Sequence, residues 1–111
     1  MIWQRKTYVF DIDGTICTLT DGDYEDARPI QGRINKVNDL YEQGHDIVFF
    51  TARGMSRSAG DVAWVNRTFY DMTKAQLDSW NVKYHKLLLG KPAADFYVDD
   101  KGIRDYDFFA D

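Results

Sequence analysis

The chain has a single cysteine, Cys17, so it cannot close an internal disulfide. A reducing, cytoplasmic setting is the natural expectation. Only two prolines occur, Pro29 and Pro92, and each falls in an expected loop. No apolar run approaches the roughly 20 residues that a membrane span needs. Residues 1–6, Met-Ile-Trp-Gln-Arg-Lys, are followed by no long apolar run and are not expected to be a signal peptide. Positive charge is not in excess either: 14 Lys and Arg stand against 18 Asp and Glu, for a net charge of -4. That balance disfavours nucleic acid as a bulk ligand but still allows a local site for one small phosphate. There is no repeat, low-complexity tract or linker.

The 111 residues, 44% hydrophobic and 15% aromatic, suit one globular domain spanning 1–111. Thr7-Tyr8-Val9-Phe10 reads as a buried strand ending at Asp11. Residues 16–31 have no helical period and are expected to form a loop or small hairpin. Ile34, Val37, Leu40 and Tyr41 recur at helical spacing, with Gly44 as the stop. Ile47-Val48-Phe49-Phe50 is a second apolar strand, ending at Thr51. Residues 52–60 are a loop. Residues 61–80 read as helical with a possible break near Asp71, where Thr73 and Gln76 fit a capping box. Leu87-Leu88-Leu89 reads as a third strand ending at Gly90-Lys91, and Phe96-Tyr97-Val98 as a fourth ending at Asp99-Asp100. The tail is either a short helix or an edge element.

Apolar strands alternating with helices imply an α/β fold, a Rossmann-like three-layer sandwich with a mostly parallel sheet covered on both faces. Ligands of such sheets bind at the C-terminal edge of the strands. Asp11, Thr51, Lys91 and Asp99-Asp100 should therefore converge there. Asp11, Asp13 and Asp100 would repel one another without a counter-ion, and a hard divalent cation such as Mg2+ removes that conflict. Lys91 can reach the remaining oxygens of a phosphate, and Thr51 with the following backbone N–H groups can hold another. Lys86 is the rival cation but precedes the apolar triple and should face solvent. A carboxylate at 11 can attack phosphorus to give an aspartyl-phosphate. A carboxylate at 13 can protonate the leaving alkoxide and later deprotonate water. His45 and His85 lack ligand-type spacing and read as structural; Cys17 reads as packing.

Asp11-Ile12-Asp13-Gly14-Thr15 after an apolar strand, with Thr51, Lys91 and Asp99-Asp100 following in order, resembles the haloacid dehalogenase-like (HAD) hydrolase superfamily. The resemblance covers nearly the whole chain. The stretches 24–32, Thr51-Ala52-Arg53 and 90–100 resemble a narrower group of small, cap-less phosphatases linked to capsule or surface-polysaccharide biosynthesis.

The resemblance implies a cap-less (C0) HAD core and a Mg2+-dependent phosphomonoester hydrolase. Asp11 would be nucleophile and metal ligand. Asp13 would be general acid/base and lend its backbone carbonyl to the metal. Asp100, with Asp99 beside it or through water, would complete the metal set. Thr51, Ala52, Arg53 and Lys91 would contact substrate. Superfamily dehalogenases lack the second aspartate and P-type ATPases carry threonine there, so Asp13 favours phosphate-ester hydrolysis. Some relatives carry a further acid four residues after the metal-binding aspartate, where this chain has Arg104.

The 40 residues from Asp11 to Thr51, and again from Thr51 to Lys91, leave no room for a cap. Only residues 16–30 can lean over the site. A small sugar- or polyol-phosphate is the substrate expected from the resemblance, with a homo-oligomer supplying any missing wall. Phosphoproteins and nucleic-acid ends are the alternative substrates. A receiver-like phosphoacceptor domain is disfavoured, because its acidic pair lies near the first strand and its phosphoacceptor on the third.

Overall fold

The computed structural model describes residues 2–110. Three parallel strands form one sheet in the order β1 (Thr7–Phe10), β2 (Asp46–Thr51), β3 (Lys86–Leu89). Helix α1 (Gln31–Glu42) connects β1 to β2, and α2 (Val62–Ser79) connects β2 to β3. A short helix, α3 (Asp105–Phe108), follows, which settles the open reading of the tail.

The pairing register explains which residues are buried. Phe10 lies opposite Phe49, and Phe49 opposite Leu87. With Ile47, Thr51 and Leu89 they share one face, and all six are buried. Both crossovers step in the same direction along the sheet. Right-handed connections therefore place α1 and α2 on that same face. Ile34 and Val37 of α1, and Val65 and Leu77 of α2, join its core cluster. Full burial of a side chain such as Phe49 or Leu77 contributes about 1.5–3 kcal/mol.

The other face differs from expectation. Val9 is 61% exposed and Leu88 47% exposed, and the buried Val48 lies outside the core cluster. No helix covers this face among the described residues, so the molecule has two layers rather than three. The physical reason is the 1-2-3 strand order, which sends both long helices to one side.

Helix ends follow local chemistry. Gly44, at φ +96°, and His45 close α1 by donating to Tyr41 O and Leu40 O at 3.0 and 3.1 Å. Asp61 caps α2, its Oδ1 accepting from Trp64 N at 3.0 Å. The expected break near Asp71 is absent: α2 runs through it, and Thr73 is fully buried rather than capping. Residues 16–30 form a packed loop with one turn of 3-10 helix at Tyr24–Asp26. Ile16 and Cys17 are fully buried in it, and Cys17 bridges to Pro29.

The expected fourth strand does not form. Residues 92–104 contain no strand, and all of them are exposed. Phe96, Val98 and Ile103 are 81%, 95% and 65% exposed. The radius of gyration is 14.1 Å, with extents of 47 × 32 × 24 Å. A compact chain of this length has a radius near 13 Å, so the stretch stands off the body as an arm.

Candidate functional site

The C-terminal edge of the sheet gathers most of the expected residues. Asp11 follows β1, and its carboxylate lies 3.9 Å from Lys91 Nζ. Burial raises the Asp11 pKa above the ordinary carboxylate value, against the opposing pull of Lys91 and of the Ile12 N–H. Lys91 follows β3, and its N–H donates to Thr51 O at 3.1 Å, which ties the ends of β2 and β3 together. Lys86 is exposed and lies at the opposite, N-terminal end of β3. Thr51 is buried, and its Oγ1 accepts from Arg53 N at 3.2 Å. Ala52 is half-buried, and its carbonyl opens the next turn by accepting from Met55 N.

Asp13 turns inward through the loop that Gly14 permits. Gly14 has φ +80°, a conformation that favours glycine, and its N–H donates to Cys17 O at 2.9 Å. Arg53 holds the Asp13 carboxylate in a two-bond fork, Nε to Oδ2 at 2.8 Å and Nη2 to Oδ1 at 3.0 Å. The Arg53 side chain is fully buried. Its Nη1 also donates to Thr73 Oγ1 at 3.3 Å, and its guanidinium lies 4.9 Å from the centre of the Tyr24 ring. Arg53, expected to contact substrate, is instead enclosed, because an unpaired Asp13 beside the core would be costly to bury.

Three further residues neighbour the site. Tyr24 is one: its hydroxyl accepts from Gly54 N at 2.8 Å, and its ring also faces Arg57 at 5.2 Å. Through it, residues 16–30 reach the loop after Thr51. Beside it, Arg57, Phe69 and Met72 help line a depression of about 240 Å3. Thr73 is the second, and a buried threonine within an amphipathic helix was its only signal. The third is Cys17, whose Sγ lies 3.6 Å from Asp13 Oδ1. Burial, with the nearby Asp13 charge, pushes its thiol up to about 12. A larger depression of about 500 Å3, lined by Tyr41, Asp78 and Lys83 among others, lies toward the N-terminal ends of the strands, away from Asp11.

Asp99 and Asp100 do not join the cluster. Both are exposed on the arm. Asp99 Oδ1 accepts from Lys101 N at 2.8 Å and also from Gly102 N, which lowers its pKa. Among the described residues, no group of three His, Cys, Asp or Glu side chains could hold a metal ion. The three-carboxylate cation set expected from the sequence therefore does not close within one chain.

Fold and site together define an α/β protein of Rossmann-like type, with polar side chains gathered at one edge of a parallel sheet. No family model matches the chain, and no curated protein matches it. A crystal structure of a structural-genomics target from Vibrio cholerae is similar, at 30% identity and a TM-score of 0.88 over 95% of this chain and 88% of that one. The chain belongs to one family with that Vibrio cholerae protein. No described helix is long and apolar enough to cross a membrane.

Proposed function

We propose that the chain is a phosphomonoester hydrolase of the HAD type, acting through Asp11. The observation that carries this reading is the pairing of Asp11 with Lys91 at 3.9 Å, with Asp13 fixed two residues further on by Arg53. An acid, a cation and a second acid at the C-terminal edge of a parallel sheet suit phosphoryl transfer.

In the first half, an Asp11 carboxylate oxygen attacks phosphorus and the bond to the ester oxygen breaks. For this step Asp13 must act in its acid form with one oxygen released from the Arg53 fork; it gives that proton to the departing alkoxide, leaving an aspartyl-phosphate and an Asp13 carboxylate that the fork holds again. In the second half, Asp13 takes a proton from a water that attacks the same phosphorus. That step releases phosphate and restores both side chains. Lys91 offsets charge on the non-bridging oxygens throughout. Thr51 orders the turn that follows β2. Arg53 acts as a positioning residue, holding Asp13 in one rotamer.

Mg2+ dependence is part of the proposal, and a bound cation would neutralise phosphate charge. Asp11 would hold it through its carboxylate and Asp13 through its backbone carbonyl, with a further carboxylate from Asp99 or Asp100. The exposed site, with no cap, suits hydrolysis by admitting water. A small sugar- or polyol-phosphate is the favoured substrate, on resemblance alone.

The test is turnover of p-nitrophenyl phosphate and a phosphate-ester panel, with Mg2+ and with excess EDTA. Hydrolysis that requires Mg2+ and vanishes in Asp11→Asn is expected. No turnover on any ester, or undiminished turnover in Asp11→Asn, overturns the reading. Activity confined to phosphoproteins or nucleic-acid ends would replace the metabolite assignment and keep the chemistry.

A further inference from the structure

We infer that two copies of this chain exchange their arms, residues 92–104, each laying Phe96–Val98 as a fourth strand on the free edge of β1 in the other copy.

The arm has the composition of a strand without the pairing of one. Phe96, Tyr97 and Val98 are 81%, 54% and 95% exposed. Aromatic and β-branched residues of this kind are enriched in strands, and such a contiguous exposed run marks an interaction site. The acceptor is present in the same molecule. β1 is an edge strand, and none of its backbone groups bonds outside its pairing with β2 among the described residues. A free edge of this type is a template for another strand.

The chain length between the two decides whose arm pairs with whose edge. β3 ends at the same edge of the sheet as Asp11, and only residues 92–95 separate Lys91 from Phe96. To lie parallel to its own β1, the arm would have to cross two strands and return to the opposite end of the sheet. Parallel strands need a connection of a dozen or more residues for that. A hairpin is also excluded, since β1 does not neighbour β3. A second copy removes the restriction, because its β1 edge approaches the arm from outside. The contact is self-complementary, so a two-fold dimer closes with both edges covered.

The register follows from where the strands end. Val98 precedes Asp99 as Phe10 precedes Asp11, so Val98 sets beside Phe10, Tyr97 beside Val9, and Phe96 beside Tyr8. Phe96 and Val98 then face the helix side. There Phe108 already packs on Tyr8 and Phe10, with ring centroids at 5.9 and 5.5 Å. Tyr97 covers Val9, which is 61% exposed in the single chain. The same register carries Asp99 and Asp100 to the partner's Asp11. That last placement rests on the phosphohydrolase reading; the strand pairing does not.

The test has two arms. Light scattering at micromolar concentration should give a dimer, and Val98→Asp should give a monomer that keeps its helical circular dichroism signal and its cooperative melt. In a mixture of Val9→Cys chains with Tyr97→Cys chains, a mixed disulfide should form between the two. A wild-type monomer, a Val98→Asp dimer, or absence of the mixed disulfide overturns the exchange.

The second arm mixes Asp11→Asn with Asp100→Asn, each inactive alone. After subunit exchange the mixture should regain about one quarter of wild-type turnover, since half the dimers are mixed and each holds one intact site. A mixture that stays inactive overturns delivery of Asp100 in trans. If the wild type hydrolyses no ester, the phosphohydrolase reading fails, and mass and cross-linking still decide the exchange.

Discussion

Arg53 and Asp13 form a two-bond ion pair whose arginine side chain is fully buried. Everything around it is arranged for that fork: Thr73 takes a third N–H, and the Tyr24 ring lies against the guanidinium. Lysine cannot reproduce this geometry, having neither a planar fork nor a delocalised charge.

Arg53→Ala should therefore destabilise the fold by about 3–5 kcal/mol, the cost of leaving a buried charge unpaired. Arg53→Ala with Asp13→Asn should recover part of that loss, because the two residues are coupled. Urea midpoints of the wild type, both single variants and the double variant check this. Strict additivity would show that the pair is not a unit.

Asp11 gives a pH signature. Its pKa is raised in the folded state, so its contribution to stability is fully present below its ordinary value of 3.8 and is lost as pH rises through the folded value. Asp11→Asn should thus be more stable than the wild type at neutral pH, with the gap closing as pH falls toward 3.8. Thermal melts across that window measure it. A wild type that is the more stable partner at neutral pH would show that the Lys91 contact outweighs burial.

Gly54 has φ +76°, and an added Cβ would meet Phe69 Cε2 at 2.6 Å. Gly54→Ala should cost about 1–3 kcal/mol through that overlap and the strained backbone. Because Gly54 N also donates to Tyr24 OH, turnover should fall as well. Asp61→Ala serves as the contrast. It removes the α2 cap and should cost about 1 kcal/mol with turnover unchanged at a temperature where both are folded.

Cys17 is buried, with its thiol pushed up to about 12. It should resist thiol reagents in the native state near pH 8, where almost no thiolate exists. In denaturant, one thiol per chain should titrate. Rapid native labelling would indicate that residues 16–30 open readily.

The sequence was a good guide wherever a feature depends on neighbours along the chain. The apolar runs ending at Phe10, Thr51 and Leu89 form the three strands, and the spacing of Ile34, Val37 and Leu40 marks the first helix. Lys91 was separable from Lys86 because one lies after an apolar strand and the other at its start. Features set by distant partners were not legible. Arg53 reads as a substrate contact until Asp13 and Thr73 are placed beside it. Thr73 resembles a cap until its hydroxyl is found against Arg53. Phe96–Val98 has strand composition, but its four-residue tether was the signal against pairing with β1, and composition alone hides it.

The hydrogen bond from Lys91 N to Thr51 O has a mechanical consequence. It clamps two of the site's walls into one plate, and the Arg53 fork rivets Asp13 to the same plate. On the phosphohydrolase proposal that plate would stay fixed while a phosphate ester binds and leaves. Compliance would then fall to Tyr24 and its loop on one side and to the arm on the other, segments that carry none of the proposed bond-making chemistry.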